Sequence, residues 1–215
     1  MEVERIGRAG LLRYLLRQLD HLVPDDRDCA SVIDAHLDMA LDRLRHCING
    51  VKPWRAERFD YLHSTQYCLF LYYLSNTIWK RTGETEVPTK LFLLNKALNG
   101  IDCFYEIALP EVFFIGHSVG IVLAKATYGE HLVLYQNSTV GKNHGVAPVI
   151  GAGVVMYPNT AIVGRCTVGA GTVVSQGTSV INQDTPGDAM AFAGEAGKLV
   201  FKPLRRPAIE DFFRL

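Results

Sequence analysis

Residues 150–180 read IGAGVVMYPNTAIVGRCTVGAGTVVSQGTSV, and within them an aliphatic side chain returns at every sixth position: Ile150, Met156, Ile162, Val168, Val174 and Val180. Four residues after each of the first five stands a small or slim side chain: Val154, Thr160, Cys166, Thr172 and Thr178. A period of six fits neither the 3.6 of a helix nor the 2 of a strand, so the repeating unit is a short strand plus a turn. Three such units close one triangular coil of a parallel β-helix, with the aliphatic residue pointing inward and the slim one beside it. Gly151, Gly153, Gly164, Gly169, Gly171 and Gly177 fall between the inward positions, where tight corners favour glycine.

Upstream the rhythm loosens. Leu109 and Ile115 are six apart, the phase slips by two, and Leu123 restarts it with Thr127, Val133 and Thr139 expected in the slim positions. A second slip between Gly141 and Ile150 leaves room for the loop KNHGVAP, residues 142–148. Breaks in a solenoid are where loops leave a rigid scaffold, and chemistry tends to sit on such loops. A histidine accompanies each break: His117 in IGHSVG and His144 in GKNHG.

Residues 1–100 follow helical spacing instead. Leu11, Leu12, Leu15, Leu16, Leu19 and Leu22 form one stripe; Ile33, Leu37, Ala40, Leu41 and Leu44 form a second, with Asp25 or Asp26 as its expected cap. A third helix is expected from about Asp60 to Arg81, ending at Gly83, and a fourth from about Pro88 to Asn99, ending at Gly100. The third is apolar on more than one face, which means burial between neighbours and suggests an oligomer. The domain boundaries that follow are 1–100 for a helical domain, 101–198 for the β-helix and 199–215 for a C-terminal tail.

The composition excludes several classes. Across 215 residues, 22 basic side chains cancel 22 acidic ones, so no long-range field gathers nucleic acid or an anionic membrane. No apolar leader opens the chain, and the longest apolar run, Tyr67–Leu74, is too short to span a bilayer, so a cytoplasmic protein is expected. Five cysteines without a CxxC pair indicate neither a disulfide framework nor a compact zinc site, and no metal is expected.

The order of a helical domain, then IDCFYEIALPEVFFIGHSVGIVL, then QNSTVGKNHGVAPVIGAGVVM, then regular hexapeptides, resembles serine O-acetyltransferases of the left-handed β-helix superfamily. The resemblance covers roughly residues 60–200 and implies an α+β fold, a helical domain followed by a left-handed parallel β-helix. It also implies an acetyl-CoA-dependent acyltransferase, with a homotrimer or a dimer of trimers as the working form. His117 matches the family's general base and Asp102 its orienting carboxylate. The chemistry needs that pairing, because a neutral imidazole must take a hydroxyl proton and a carboxylate stabilises the cation formed. His144 matches the histidine that helps bind the acceptor, and Asn143 stands where the family has an arginine. Gly116 stands where it has an acid. A further family acid from the helical domain falls at Glu57, with Asp60 as the alternative. The resemblance places the CoA arm along Asn159 and Gln176-Gly177, with Lys198 toward its phosphates.

Gly116 and Asn143 depart from the charged clamp that reads an amino acid, since a neutral amide does not replace a charge-assisted contact. The acceptor is therefore L-serine, a modified amino acid or a sugar. Two other functions compete: a non-catalytic trimeric scaffold that binds a partner, and a carbonic-anhydrase-like zinc enzyme using His117, His144 and His131. His131 is expected at a solvated corner, and the histidines of the helices, His21, His36, His46 and His63, are assigned nothing.

Overall fold

The computed structural model describes residues 1–215. Four α-helices, α1 (Gly7–Leu22), α2 (Ala30–Gly50), α3 (Ser64–Thr82) and α4 (Glu86–Asn99), precede a parallel β-solenoid of five turns. α1 buries Leu11, Leu15 and Leu19, and α2 buries Ile33, Leu37, Ala40 and Leu44, the inner line of each expected stripe, while Leu22 at the end of α1 is exposed. α3 is different: every residue from Thr65 to Ile78 is buried within this one chain, between the other helices and the base of the solenoid. Its all-round apolarity is thus used inside the chain.

Three helix starts differ from expectation: α3 begins at Ser64, not near Asp60, because Asp60 takes part in a turn, accepting the Leu62 N–H. α2 begins after Cys29, and it is Asp28 whose carboxylate accepts the Ala30 N–H; Asp25 instead pairs with the ammonium of Lys90. α4 begins two residues before Pro88, because the Glu84 carboxylate accepts the N–H groups of Glu86 and Val87 and supplies the missing cap. α3 and α4 end as expected, on Gly83 and Gly100 in the left-handed conformation.

Three parallel sheets form the faces of the solenoid. The first face stacks Asp102–Cys103, Val122–Leu123, Thr139–Gly141, Ala161–Val163 and Ser179–Ile181. The second stacks Thr127–Tyr128, Val149–Ile150 and Thr167–Val168. The third stacks Phe113–Ile115, Leu132–Leu134, Val155–Met156, Val173–Val174 and Ala189–Ala193, and Leu199–Pro203 joins it antiparallel. The chain passes from first face to second to third and back. All six aliphatic residues of the period-six series are buried, and so are all five slim ones. The slim hydroxyls also close the corners: Thr160 donates to Tyr157 O at 2.8 Å and Thr172 to Gly169 O at 2.7 Å. Threonine there leaves no orphaned polar group.

The second turn corrects the expected phase. Tyr128, not Thr127, points inward, because Tyr128 pairs with Ile150 and Thr127 is exposed. The slim positions are Leu132 and Ser138, one residue before the Val133 and Thr139 expected there. Leu123 to Tyr128 is therefore a unit of five residues, and the frame returns at Leu134 and Val140.

After residue 203 the chain runs back across the third face. Phe212 and Phe213 are buried there, Phe213 bridges to Val51, and Lys52 N–H donates to Phe212 O at 2.7 Å. The Arg214 guanidinium donates to the carbonyls of Asn49, Val51 and Lys52 at the C-terminal end of α2, at 3.0, 2.6 and 3.1 Å. Cation and helix terminus are complementary, so this arm ties the solenoid to the helices.

Candidate active site

Each solenoid edge is a column of corners. On the edge between the third and first faces, the corners are His117–Gly120, Gln136-Asn137, Pro158-Asn159 and Gln176-Gly177. Four left-handed residues recur along it, Gly120, Asn137, Asn159 and Gly177, with φ of 75°, 58°, 59° and 74°. Backbone bonds climb the column: Asn137 N–H to Val119 O, Asn159 N–H to Gln136 O and Gly177 N–H to Pro158 O, at 2.9, 3.1 and 3.1 Å. Asparagine tolerates the left-handed corner better than other chiral residues, and here the Asn137 amide also donates to Asn159 Oδ1 at 2.9 Å.

His117 is exposed on this column, lifted out by the two extra residues between Ile115 and Leu123. Its neighbours are fixed: Ser118 Oγ donates to Asn99 O at 2.8 Å, and Gly120 N–H donates to Gly100 O at 2.9 Å. Asp102 opens the first face just below, its N–H donating to Ile121 O at 2.8 Å. Its carboxylate is bound by Lys96 Nζ at 2.6 Å and makes no hydrogen bond to His117. Lys96 is a participant that sequence reasoning missed; its place in the last turn of α4, six residues before Asp102, was the available signal.

Asn159, Gln176 and Gly177 share the edge of His117. Gln176 and Gly177 are exposed, and the position a Cβ would take on Gly177 has nothing within 4 Å. That open corner, with outward backbone on a rigid column, suits a pantetheine arm bonded through its amides. Lys198 is exposed in the turn that joins Ala189–Ala193 to Leu199–Pro203, whereas Lys202 lies over the Phe192 ring at 5.1 Å.

His144 stands elsewhere, on the edge between the first and second faces. Asn143 and Val146 exchange both backbone bonds at 3.0 Å, and His144 and Gly145 take φ of 48° and 79° between them. Positive φ at both central residues defines a type I′ hairpin turn, which holds His144 exposed at its tip. The whole first face separates Asn143 and His144 from His117. Glu57 accepts from the Asn49 amide and pairs with the Met1 amine at 3.3 Å, and Asp60 pairs with Arg5 at 2.6 Å. Both helical-domain acids are therefore engaged by the N-terminal segment and α2.

His131 is not at a solvated corner. It is half-buried with its ring 4.9 Å from that of Phe213, so the arm covers it. Gly116, just before His117, is explained by the next turn: a Cβ there would stand 2.5 Å from Tyr135 Cε1 and 2.7 Å from Cδ1. Tyr135 in turn lies against Tyr157, centroids 5.6 Å apart, and burial pushes the Tyr135 hydroxyl up from its ordinary range.

A helical domain set on a hexapeptide-repeat β-solenoid is the class this architecture defines. Comparison with known proteins narrows it. A serine acetyltransferase of Synechococcus elongatus is 27% identical over 127 residues, 54% of this chain. The match spans 49% of that relative, about half its length. The serine acetyltransferase of Vibrio cholerae superposes with a TM-score of 0.74 at 19% identity, covering 94% of this chain and 83% of the other. A serine acetyltransferase solved with CoA gives 0.71 at 18%, covering 90% and 85%, and the soybean enzyme solved with serine gives 0.67 at 18%, with the same coverage. No protein-family model matches the chain. The chain is similar to serine acetyltransferases in part of its sequence and has their fold.

Proposed function

We propose that the protein is an acetyl-CoA-dependent O-acetyltransferase in which His117 is the general base. The observation that carries this reading is the shared edge: an exposed histidine on a fixed loop stands in one column with the open corners Asn159 and Gln176-Gly177. Relatives solved with CoA and with serine support the same assignment. Acetyl-CoA supplies the activated acetyl group. The acceptor hydroxyl gives its proton to His117 as its oxygen bonds to the acetyl carbon; the C–S bond breaks and the departing thiolate takes the proton, so an ester and free CoA leave. Asp102 orients the imidazole once it turns from Lys96, and Lys198 meets CoA phosphate.

His144 and Asn143 complete the acceptor site from an adjoining copy, in a homotrimer or a dimer of trimers. The acceptor is a small molecule bearing a hydroxyl: L-serine, a modified amino acid or a sugar. The test is release of CoA thiol from acetyl-CoA by the purified protein, with a panel of these acceptors, beside His117→Ala. Loss of a general base lowers turnover about 10²- to 10⁴-fold while acetyl-CoA still binds. Equal rates in the two proteins, or no turnover with any acceptor, would hand the fold to a scaffold role.

A further inference from the structure

The helical domain carries a cavity of about 380 Å³ on one side of α1, lined by Arg5, Ile6, Gly10, Arg13, Tyr14 and Arg17. Ile6, Gly10 and Tyr14 stand four apart, along one row of the helix. A Cβ at Gly10 would stand 2.7 Å from Ile6 Cβ, so glycine is what lets Ile6 fold down onto the helix. The result is an apolar strip flanked by three guanidiniums, with no acidic side chain among the lining residues.

Elsewhere on α1 charge is matched. Arg8 bonds to Asp38 and Asp34, both at 2.6 Å, and the two carboxylates hold its guanidinium above its usual range. Arg13 and Arg17, one turn apart and exposed, pair with no acid. Arg5 does pair, with Asp60 at 2.6 Å, but through a single nitrogen. A guanidinium carries five donors in a planar fork, so that contact orients Arg5 and leaves the rest of its donors for a ligand. The Arg5 backbone is left-handed, with φ of 66°, a conformation unfavourable to any residue with a Cβ. Bonds on either side impose it: Glu4 N–H donates to Phe59 O and Ile6 N–H to Glu4 O, at 2.9 and 2.8 Å. The bend carries the chain from Glu2–Val3 into α1 with Arg5 on the cavity wall. No side chain caps the start of α1, so the positive end of the helix adds to the same field. Cations gathered on one wall repel each other, and a bound anion removes that cost.

We propose that this cavity binds a small oligophosphate, a molecule with two or more linked phosphate groups, held by Arg5, Arg13 and Arg17. Guanidinium forks match phosphate oxygens two at a time. The volume lies in the range of small-molecule sites rather than of a single ion, and Ile6 and Tyr14 offer an apolar strip for an organic remainder. The cavity shares no residue with the edge of His117, so the proposal stands apart from the reaction performed there.

The experiment titrates the full chain with inorganic pyrophosphate, orthophosphate and citrate by isothermal calorimetry. The expected result is that pyrophosphate binds more tightly than the other two, and that its affinity falls at least about tenfold in the double variant Arg13→Gln/Arg17→Gln. Arg165→Gln, at an exposed arginine of the solenoid, leaves it unchanged. Raising sodium chloride from about 0.01 M to about 0.15 M weakens the wild-type affinity several-fold, as a charge-held ligand requires. Far-UV circular dichroism verifies that the variants are folded, and Arg13→Lys/Arg17→Lys, which keeps the charge and loses the forks, retains only part of the affinity. No pyrophosphate binding, or binding indifferent to the double variant, would overturn the proposal, as would citrate or orthophosphate bound as tightly. Light scattering tests the other use of such arginines: a smaller assembly in the double variant than in the wild type would assign them to a contact between copies and overturn the ligand site.

Discussion

Two glycines of the solenoid test the packing argument because they are glycine for opposite reasons. Gly151 has an ordinary φ, but a Cβ on it would stand 2.7 Å from Ala170 N and 2.8 Å from Val168 O, backbone atoms of the next turn. Contact between heavy atoms becomes favourable only near 3.5 Å, and neither neighbour can rotate away. Gly151→Ala must therefore push adjacent turns of the stack away from each other. Overpacking costs about 1–3 kcal/mol. The bonds that this separation stretches, Gly151 N–H to Val168 O at 2.9 Å and Gly171 N–H to Ala152 O at 2.8 Å, are each worth about 1 kcal/mol. The expected loss is roughly 3–5 kcal/mol. Gly177 is the converse, with φ of 74° and nothing within 4 Å of its would-be Cβ. Gly177→Ala meets only the left-handed penalty of about 1–2 kcal/mol, partly offset by a less flexible unfolded chain, so about 1 kcal/mol remains. In a chain of this length these losses correspond to melting-point drops of about 10 °C and about 3 °C. Urea unfolding followed by circular dichroism, at one fixed protein concentration because assembly couples to stability, reads both. Equal costs, or a larger cost at Gly177, would refute the assignment of Gly151 to backbone approach between turns.

Asp102 and Lys96 separate an orienting carboxylate from a surface ion pair: Asp102→Asn is expected to lower kcat at least tenfold, and Lys96→Ala to change it less than threefold, because in the proposed mechanism only the first removes the carboxylate that orients the imidazole. Matching losses in the two would assign Asp102 to the ion pair alone. Phe213→Ala empties a buried position against His131 and Val51 and should destabilise by about 3 kcal/mol, with faster tryptic cleavage after Arg205; an unchanged cleavage rate would mean that the arm is held without it. Burial pushes the Cys47 thiol up to about 11 and the Cys68 thiol up to about 12. Thiolate is the reactive form, so at pH 8 a disulfide reagent should leave both unmodified until urea is added, and stoichiometric labelling of the folded protein would contradict their burial.

The solenoid was legible because its cause is local and repeated. Each of Ile150, Met156, Ile162, Val168, Val174 and Val180 meets the same neighbours one turn away, so one periodic signal encodes them all. The second turn was misread where that repetition fails. A unit of five residues puts Tyr128 inside, yet Thr127 resembles the slim threonines that follow, and only the pairing of Tyr128 with Ile150 decides between them. Helix ends on Gly83 and Gly100 were readable, since the glycine is itself the stop signal; the starts were not, because Asp28 and Glu84 cap from outside the periodic stretch. The arm gave no sign at all. Phe213 meets Val51 across most of the chain, and a contact of that range leaves no period. His117 and His144 were found because each sits at a break in phase, whereas Arg13 and Arg17 lie on the ordinary polar side of a helix and only the cavity they share with Arg5 distinguishes them.

The positions of the two histidines make the proposed trimeric site testable. Within one chain they stand on different edges, and the first face between them carries exposed apolar side chains, Val122 at 46% and Ile181 at 47%. Burying that face against a second copy would bring one chain's His144 edge toward the other's His117 edge, and three copies close the ring. Each proposed site would then draw His117 from one chain and His144 from its neighbour. The consequence is arithmetic. His117→Ala and His144→Ala are each deficient alone, but when equal amounts are unfolded together and reassembled, a given site receives an intact His117 half the time and an intact His144 half the time. About one quarter of the wild-type activity should return. Sites built within single chains would give no recovery, since every chain in the mixture lacks one of the two. The same mixture thus decides whether the acceptor is held between copies, and it does so whichever hydroxyl the enzyme acetylates.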